Sequence, residues 1–418
     1  MPIIKIEKLV AGGQGLARHD GCVYFVWDAL PGEEVEVEVI KKKKNYAEAV
    51  VTKVISASPE RIESREAHYL NCSPWQILSW PEELKWKKII ATENFLRLAK
   101  IELPADLQIV ADKKNQYHYR NKIEFNFIYC RSELHLALFE RKTNELRLVE
   151  ECCLADEKLN DAAKNILAWL NTRVDAKNFQ KLVVRGDSGG RILAGLYARN
   201  KISDFICPLL DKTLVGVSFF QWSGDDNWRL ERQLGENYLA ETINNIELRY
   251  GIESFFQINT LIFKIAIDDM AGFIDSNDSV LDFYSGVGSI SLMLAKKFKT
   301  GQLIESNDEA AGFAEQNIEL NKIKNCRAKR VRAEEAADLI SAENVVLLDP
   351  PRAGLEKILT AEIIKKQPKR LIYLSCDIAT QARDIAQLKD FYNLEFIKLY
   401  NFFPRTPHIE SLVILDKI

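Results

Sequence analysis

The chain has 418 residues, 47% hydrophobic and 28% charged, with a net charge of -3 and a pI of about 6.1. That is a globular composition with a full hydrophobic core, long enough for two or three domains at roughly 150 residues each. It excludes a global positive field as the route to nucleic acid, so local patches must carry any such contact, and no run approaches the ~18 apolar residues of a membrane span. The start, Met1-Pro2-Ile3-Ile4-Lys5, reads as a strand rather than a signal peptide. Eight scattered cysteines then imply reduced thiols and a cytoplasmic protein. The five histidines show no metal-ligand spacing, so no metal site is expected.

Residues 1–58 alternate in polarity. Val35-Glu36-Val37-Glu38-Val39 has the period of a half-buried strand, and Ala11-Gly12-Gly13-Gln14-Gly15 and Pro31-Gly32 mark turns. Short strands without helices predict a small OB-type β-barrel, a module that often binds single-stranded nucleic acid. Lys41 to Lys44 form a basic run that is either a solvated hairpin tip or a phosphate-contacting edge.

Residues 59–245 read as a mixed α+β region. Pro81 to Lys100 has helical periodicity, with Trp86, Ile89, Ile90 and Phe95 as core positions. The stretch Lys113 to Lys122 interleaves basic residues with Tyr117 and Tyr119, a pattern suited to RNA because phosphate needs positive charge and unstacked bases need aromatic faces. Strands and loops follow from Leu182 to Leu248, with a turn at Gly186-Asp187-Ser188-Gly189-Gly190.

Residues 246–418 alternate strand and helix. Strands are predicted at Val280–Phe283, Gln302–Glu305, Val345–Leu348, Leu371–Ser375, Glu395–Tyr400 and Leu412–Leu415. Helices between the first five imply a parallel, doubly wound, Rossmann-like α/β sheet, and the short link between the last two implies antiparallel pairing. In such sheets ligands bind at the carboxyl ends of strands. Three successive strands end in an acid: Asp282, Glu305 and Asp349. After the first, Tyr284-Ser285-Gly286-Val287-Gly288 opens a helix, and the glycines Gly286 and Gly288 let the backbone approach a ligand. No third glycine follows, which favours S-adenosylmethionine over a dinucleotide, with Glu305 placed to hold ribose hydroxyls. Asp349-Pro350-Pro351-Arg352 presents an acid at a proline-terminated strand end, and Cys376 ends the apolar run Leu371 to Ser375. A thiol and a carboxylate at two such ends suggest covalent chemistry beside a cofactor. An inert core thiol is the alternative for Cys376, since cysteine is among the most buried residue types.

With these motifs in order, the chain resembles the RNA uracil-C5 methyltransferases, the family that includes the RlmD and TrmA enzymes. The resemblance rests on Ser254-Phe255-Phe256-Gln257-Ile258-Asn259, the Asp282 to Ile290 loop, Asp349-Pro350-Pro351-Arg352-Ala353-Gly354, Tyr373-Leu374-Ser375-Cys376 with Ala379-Thr380-Gln381-Ala382-Arg383-Asp384, and Phe403-Pro404-Arg405-Thr406-Pro407-His408-Ile409-Glu410. The N-terminal region is similar to the family's TRAM domain, and Tyr119-Arg120-Asn121-Lys122 to its central domain.

The resemblance implies a class I methyltransferase domain in which Cys376 is the nucleophile and Glu410 the base. Gln257, Tyr284, Gly286, Gly288, Glu305 and Asp349 would hold S-adenosylmethionine. Asn307 has no assigned place. Arg383, in the next helix, is a candidate for charge support of the thiolate. RNA is the implied partner, with no obligate protein partner evident. The TRAM-like barrel points to 23S rRNA, with tRNA as the second substrate reading. A non-catalytic RNA-binding protein on the same scaffold is the competing class.

Two departures from the family matter. Members with this barrel often bind a four-iron cluster through Cys-Pro-His-Tyr/Phe-x-x-Cys-Gly-Gly-Cys and a later cysteine. Here Glu66 replaces the first cysteine, Ser73 stands for the third, and only Cys72 and Cys152 or Cys153 are left. A four-iron cluster takes four thiolates, so the iron-sulfur cluster is expected to be absent. Asp377-Ile378 stands where the family has Asn-Pro, and Asp377 would raise the pKa of the neighbouring thiol.

Overall fold

A computed structural model of the chain describes residues 1–140, 145–224 and 227–418. The sheet that positions the site has eight strands, in the order Cys326–Arg330, Thr300–Glu305, Ser279–Phe283, Asn344–Leu348, Arg370–Ser375, Glu410–Lys417, Tyr392–Tyr400 and Ile109–Val110. The first five are parallel, and Glu410–Lys417 runs antiparallel to both of its neighbours. All five residues of Asn344–Leu348 are buried, as expected for a central strand covered on both faces. From Ser279–Phe283 the chain moves outward through two strands, then returns to the other side at Asn344–Leu348. The crevice between those two strands is the topological switch point, where ligands bind in such sheets.

The predicted strands are present, but two further members have little sequence signal. Cys326–Arg330 is an edge strand of composition Cys-Arg-Ala-Lys-Arg, largely exposed, so no apolar run marks it. Ile109–Val110 is only two residues long and comes from outside the region of alternating strands and helices.

The first 56 residues form a six-stranded sheet around a core that includes Ile4, Ile6, Ala17, Val26, Val35, Val37, Ala47 and Ala49. Lys43 and Lys44 lie exposed at the tip of its Glu34–Lys42/Tyr46–Ser56 hairpin. The middle region contributes a seven-stranded sheet from Leu146–Leu148 to Asn227–Gly235, packed against the helix Glu157–Leu170, which Asp156 caps by accepting from the Lys158 amide.

The predicted helix over 81–100 is an α-helix from Trp80 to Asn94 that continues as a π-turn, Phe95–Ala99. Pro81, Glu82 and Glu83 occupy its first turn, where a missing N–H is harmless and negative charge suits the helix dipole. Its aromatics do pack in the core, but Glu83 and Lys87 are also buried there, completely. They pair at 3.1 Å. Lys87 Nζ donates to Asn401 Oδ1 (2.6 Å) and the Phe403 carbonyl (3.1 Å), and the Asn401 amide and Arg405 backbone N–H donate to Glu83 (3.0 and 3.1 Å). Arg405, itself buried with φ of 63°, donates to the Leu78 carbonyl at 2.7 Å. This network clamps residues 401–405, the loop leading to Glu410. Glu83→Ala would leave two buried cations without their carboxylate and is expected to cost about 3–5 kcal/mol in urea unfolding. A loss below about 1 kcal/mol would mean that the pair does not brace the loop.

Candidate active site

The loops at the carboxyl ends of the large sheet enclose a cavity of about 760 Å³. Seven of the eight residues singled out from the sequence line it: Gln257, Tyr284, Gly286, Glu305, Asp349, Cys376 and Glu410. Gly288 lies behind the wall as the N-cap of the helix Ser289–Leu294. There its φ of 84° and the closeness of Leu303 and Leu292 to any Cβ require glycine. Tyr284, though not glycine, has a φ of 63°, so the turn before the helix carries backbone strain at the cavity wall.

Cys376 and Glu410 meet because of strand register. The antiparallel ladder pairs Ser375 with Ser411, so Cys376 leaves the end of one strand beside the residue, Glu410, that opens the other, and both line the cavity. Gln381 fastens these strand ends. Its amide donates to the Tyr373 carbonyl at 3.0 Å and the Ser411 carbonyl at 3.3 Å, and the Ser411 hydroxyl donates back to Gln381 Oε1. Asp384, also buried, accepts from the Tyr373 hydroxyl and the Leu355 amide, both at 2.9 Å, which ties the Asp349–Gly354 loop to the cysteine strand.

Gln257 donates from Nε2 to Asp349 Oδ2 at 3.4 Å. Two residues of the middle region hold its loop in place. Asn121 donates to the Gln257 carbonyl at 3.1 Å, and the buried Arg185 guanidinium donates to the carbonyls of Gly251 (2.8 Å), Phe256 (3.3 Å) and Ser254. Sequence reading missed Arg185, because nothing in its local pattern separates a buried arginine from a solvated one. Phe255, 63% exposed, forms part of the cavity rim. Glu305 accepts from the amides of Gly286 (2.9 Å) and Asn307 (2.7 Å). Asn307 itself caps the helix Asp308–Leu320 through the Ala310 amide, which accounts for its side chain.

Several expectations change here. Asp282 lies fully buried beneath the glycine turn, accepting from the Ser291 hydroxyl at 2.6 Å, rather than on the cavity wall. Arg383 faces away from the cavity, bonded to Asp384 (2.7 Å) and the Ala353 carbonyl (2.8 Å). The cation beside the thiol is Arg352. Asp377 is the N-cap of the helix Ile378–Leu388, accepting from the Ala379 and Thr380 amides at 3.1 and 2.8 Å. The Lys113–Lys122 stretch is mostly a strut. The Tyr119 hydroxyl donates to the Pro404 carbonyl (3.1 Å), and Arg65 and Arg405 lie 3.7 and 5.5 Å from the centre of the Tyr117 ring. The Tyr119 hydroxyl and the Tyr117 ring thus both contact the 403–405 loop, and Lys113 and Lys114 stay exposed.

The cavity resists negative charge. Burial, then the nearby Asp282, pushes Asp349 up to about 7. Burial and Asp349 hold Glu410 well above the usual carboxylate range, against the pull of Arg352. Burial, then Glu410 and Asp349, raises the Cys376 thiol to about 12, with Arg352 opposing and Asp377 adding a smaller upward push. The arrangement suits a ligand that brings positive charge among the acids.

A model of the tRNA (uracil-5-)-methyltransferase family matches residues 81–418, and a TRAM domain model matches residues 4–52. An uncharacterised RNA methyltransferase of Aquifex aeolicus is 31% identical over 99% of this chain and 98% of its own length. A second, from Fusobacterium nucleatum, is 30% identical over 99% and 95%. The solved structure of Pyrococcus abyssi tRNA (uracil-54, C5)-methyltransferase with S-adenosyl-L-homocysteine superposes with a TM-score of 0.79 at 22% identity, covering 99% of this chain and all of that one.

The chain belongs to this family. It is an S-adenosylmethionine-dependent RNA uracil-C5 methyltransferase with a TRAM domain ahead of its catalytic sheet.

In this enzyme the 66–76 region, where the resemblance leads one to look for a four-iron cluster, is polar. Glu66 accepts from the Cys72 thiol (3.3 Å), the Gln76 amide (3.0 Å) and the Cys153 backbone N–H (2.8 Å), and Gln76 also donates to the Ser73 hydroxyl at 2.6 Å. Cys72, Cys152 and Cys153 supply three thiols at most, which does not fit the four thiolates of such a cluster.

Two measurements check the electrostatics. Because Asp349 sits at about 7 in the fold against 3.8 as a free side chain, the folded state binds the extra proton. Stability should therefore fall as pH rises from about 4 to 7, and Asp349→Asn should make that slope shallower, by on the order of 1–4 kcal/mol across the window. An unchanged slope by urea unfolding at stepped pH would contradict the assignment. Asp377→Asn keeps the cap and removes the charge, so stability should stay within about 0.5 kcal/mol while alkylation of Cys376 by iodoacetamide quickens. Asp377→Ala should cost about 1 kcal/mol.

Proposed function

We propose that the enzyme methylates carbon 5 of a uridine in 23S rRNA through a covalent adduct on Cys376. The observation that carries this reading is the convergence of Cys376, Glu410, Asp349 and Gln257 on one cavity, with the cysteine just past one strand end and the glutamate opening the paired strand. Carbon 5 of uracil is a poor nucleophile by itself. Addition of the Cys376 thiolate to carbon 6 makes carbon 5 enolate-like and nucleophilic. S-adenosylmethionine supplies the electrophilic methyl group. Glu410 then takes the carbon-5 proton, and the carbon 6–sulfur bond breaks to return the thiolate.

Gln257, Tyr284, Gly286, Glu305 and Asp349 are the residues we assign to the cofactor, with Glu305 towards the ribose. The target base must be swung out of its stack to reach Cys376, and the exposed ring of Phe255 at the rim offers it a face. In the absence of cofactor, burial and mutual repulsion hold Asp349, Glu410 and the Cys376 thiol towards their protonated forms. The cofactor's sulfonium and Arg352 together favour the thiolate that the reaction needs. We also infer that the cytoplasmic enzyme works without a four-iron cluster.

A second substrate, tRNA, is supported by a specific observation. The Pyrococcus abyssi enzyme that superposes over 99% of this chain is a tRNA methyltransferase, so a barrel ahead of the catalytic sheet does not by itself select rRNA. Mass mapping of both RNAs from a deletion strain separates the two. Loss of 5-methyluridine at an rRNA position supports the first reading, loss in tRNA only supports the second, and no change in either sinks both.

Cys376→Ala should abolish methylation while RNA binding is kept. Glu410→Gln should let methylated RNA accumulate as a denaturation-resistant adduct on the protein, visible as a gel shift. Absence of any adduct together with near-normal turnover would rule out Glu410 as the base. Calorimetry in two buffers of different ionisation enthalpy should show proton release on binding S-adenosylmethionine but less on binding uncharged S-adenosylhomocysteine.

A further inference from the structure

The sequence spacing of the histidines gives no metal pattern, yet the fold gathers one. Glu66, His68 and Cys72 place a carboxylate oxygen, an imidazole nitrogen and a sulfur all within 4.8 Å of one another. Cys152, which follows the seven-stranded sheet's edge strand in sequence and precedes the helix Glu157–Leu170, lines one cavity with Cys72. His68 Nε2 is buried, 3.3 Å from Glu66 Oε2, and makes no well-aligned hydrogen bond. Such a donor atom aimed into a cluster of sulfur and oxygen is what a metal ligand looks like before the ion is added.

We propose that Cys72, Cys152, His68 and Glu66 form a mononuclear site for a zinc-class divalent cation. Two thiolates, one imidazole and one carboxylate are borderline-soft donors in the number that tetrahedral zinc takes. Zinc–ligand bonds of roughly 2.0–2.3 Å place neighbouring donors somewhat under 4 Å apart, so Glu66, His68 and Cys72 need to contract by only about 1 Å, while Cys152 closes in from outside that 4.8 Å group. Binding displaces the two thiol protons to solvent. Two thiolates and a carboxylate leave one negative charge beyond the cation, and Arg120 lies near enough to Cys72 and Cys152 to offset it. Cys153 stays outside the set. Its sulfur accepts from the Gln76 amide at 3.3 Å and its backbone N–H orients Glu66, so it positions a ligand rather than being one. The ion would pin the 66–72 loop to the middle sheet, close to the Tyr117–Arg405 strut that supports the catalytic loop.

The test uses the full-length protein, stripped with a chelator and titrated with cobalt(II). One equivalent should bind with a near-ultraviolet sulfur-to-cobalt charge-transfer band, and zinc should displace it. Cys72→Ser and His68→Ala should each weaken binding by about tenfold or more, while Cys22→Ser, a thiol of the N-terminal module, should leave it unchanged. Absence of the band in the wild-type protein overturns the proposal, whatever the folding of the variants. So does equal affinity in Cys72→Ser, or protein purified with several irons and acid-labile sulfide per chain.

Discussion

The catalytic loop of this enzyme depends on a buried ion pair that lies outside the catalytic sheet's own sequence. Glu83 and Lys87, one turn apart on a single helix, are both removed from water and would be costly there alone. Their cost is offset because the two pair with each other and both also bond to residues 401–405. The result is rigidity at one place: the loop from Asn401 to Arg405 cannot shift without stranding a charge. Glu410 follows five residues later, at the start of a strand whose register is already set against the cysteine strand. The middle region acts in the same way on the other wall, where Arg185 and Asn121 hold the carbonyls around Gln257.

Given that scaffold, the cavity's electrostatics follow from geometry. Strand ends in a parallel sheet converge, so side chains from adjacent strands share one small volume. Burial raises the proton affinity of Asp349, Glu410 and the thiol there, Asp349 raises that of Glu410, and both acids raise that of the thiol. Such a site is uncomfortable when empty of positive charge, and a cationic methyl donor relieves it. Arg352 is the one cation of the described residues lining that cavity beside Arg332, and its position next to the thiol explains why Arg383, better placed in sequence, is not needed there.

The motif residues divide into those that meet the cavity and those that hold the others. Gln381 and Asp384, embedded in the stretch after the cysteine, join strand ends and loops. Asp377, standing where the family pattern has asparagine, caps the helix by accepting from two open amides at its start, and Ile378 takes the place of the proline. Its charge reaches the thiol, but burial and the two cavity acids weigh more. Asp282 similarly turned out to be a buried support for the glycine turn.

What the sequence determined by itself was whatever short-range physics dictates. Apolar runs ended by acids, glycines or prolines gave the parallel strands and the ends at which ligands gather, and Cys376 and Asp349 were legible because a strand terminus is a local event. The alternation in residues 1–58 likewise announced a small β-module. Tertiary structure decided everything that depends on pairing distant segments. The edge strand Cys326–Arg330 lacks an apolar run because only one side of it is covered. The buried roles of Glu83, Lys87 and Arg185 are invisible locally, since a charged residue on a helix or strand reads as solvated until its partner, up to 318 positions away for Glu83 and Asn401, is brought against it. The gathering of Glu66, His68 and Cys72 has the same origin: such clusters are defined by distance in space, and only folding makes those distances short.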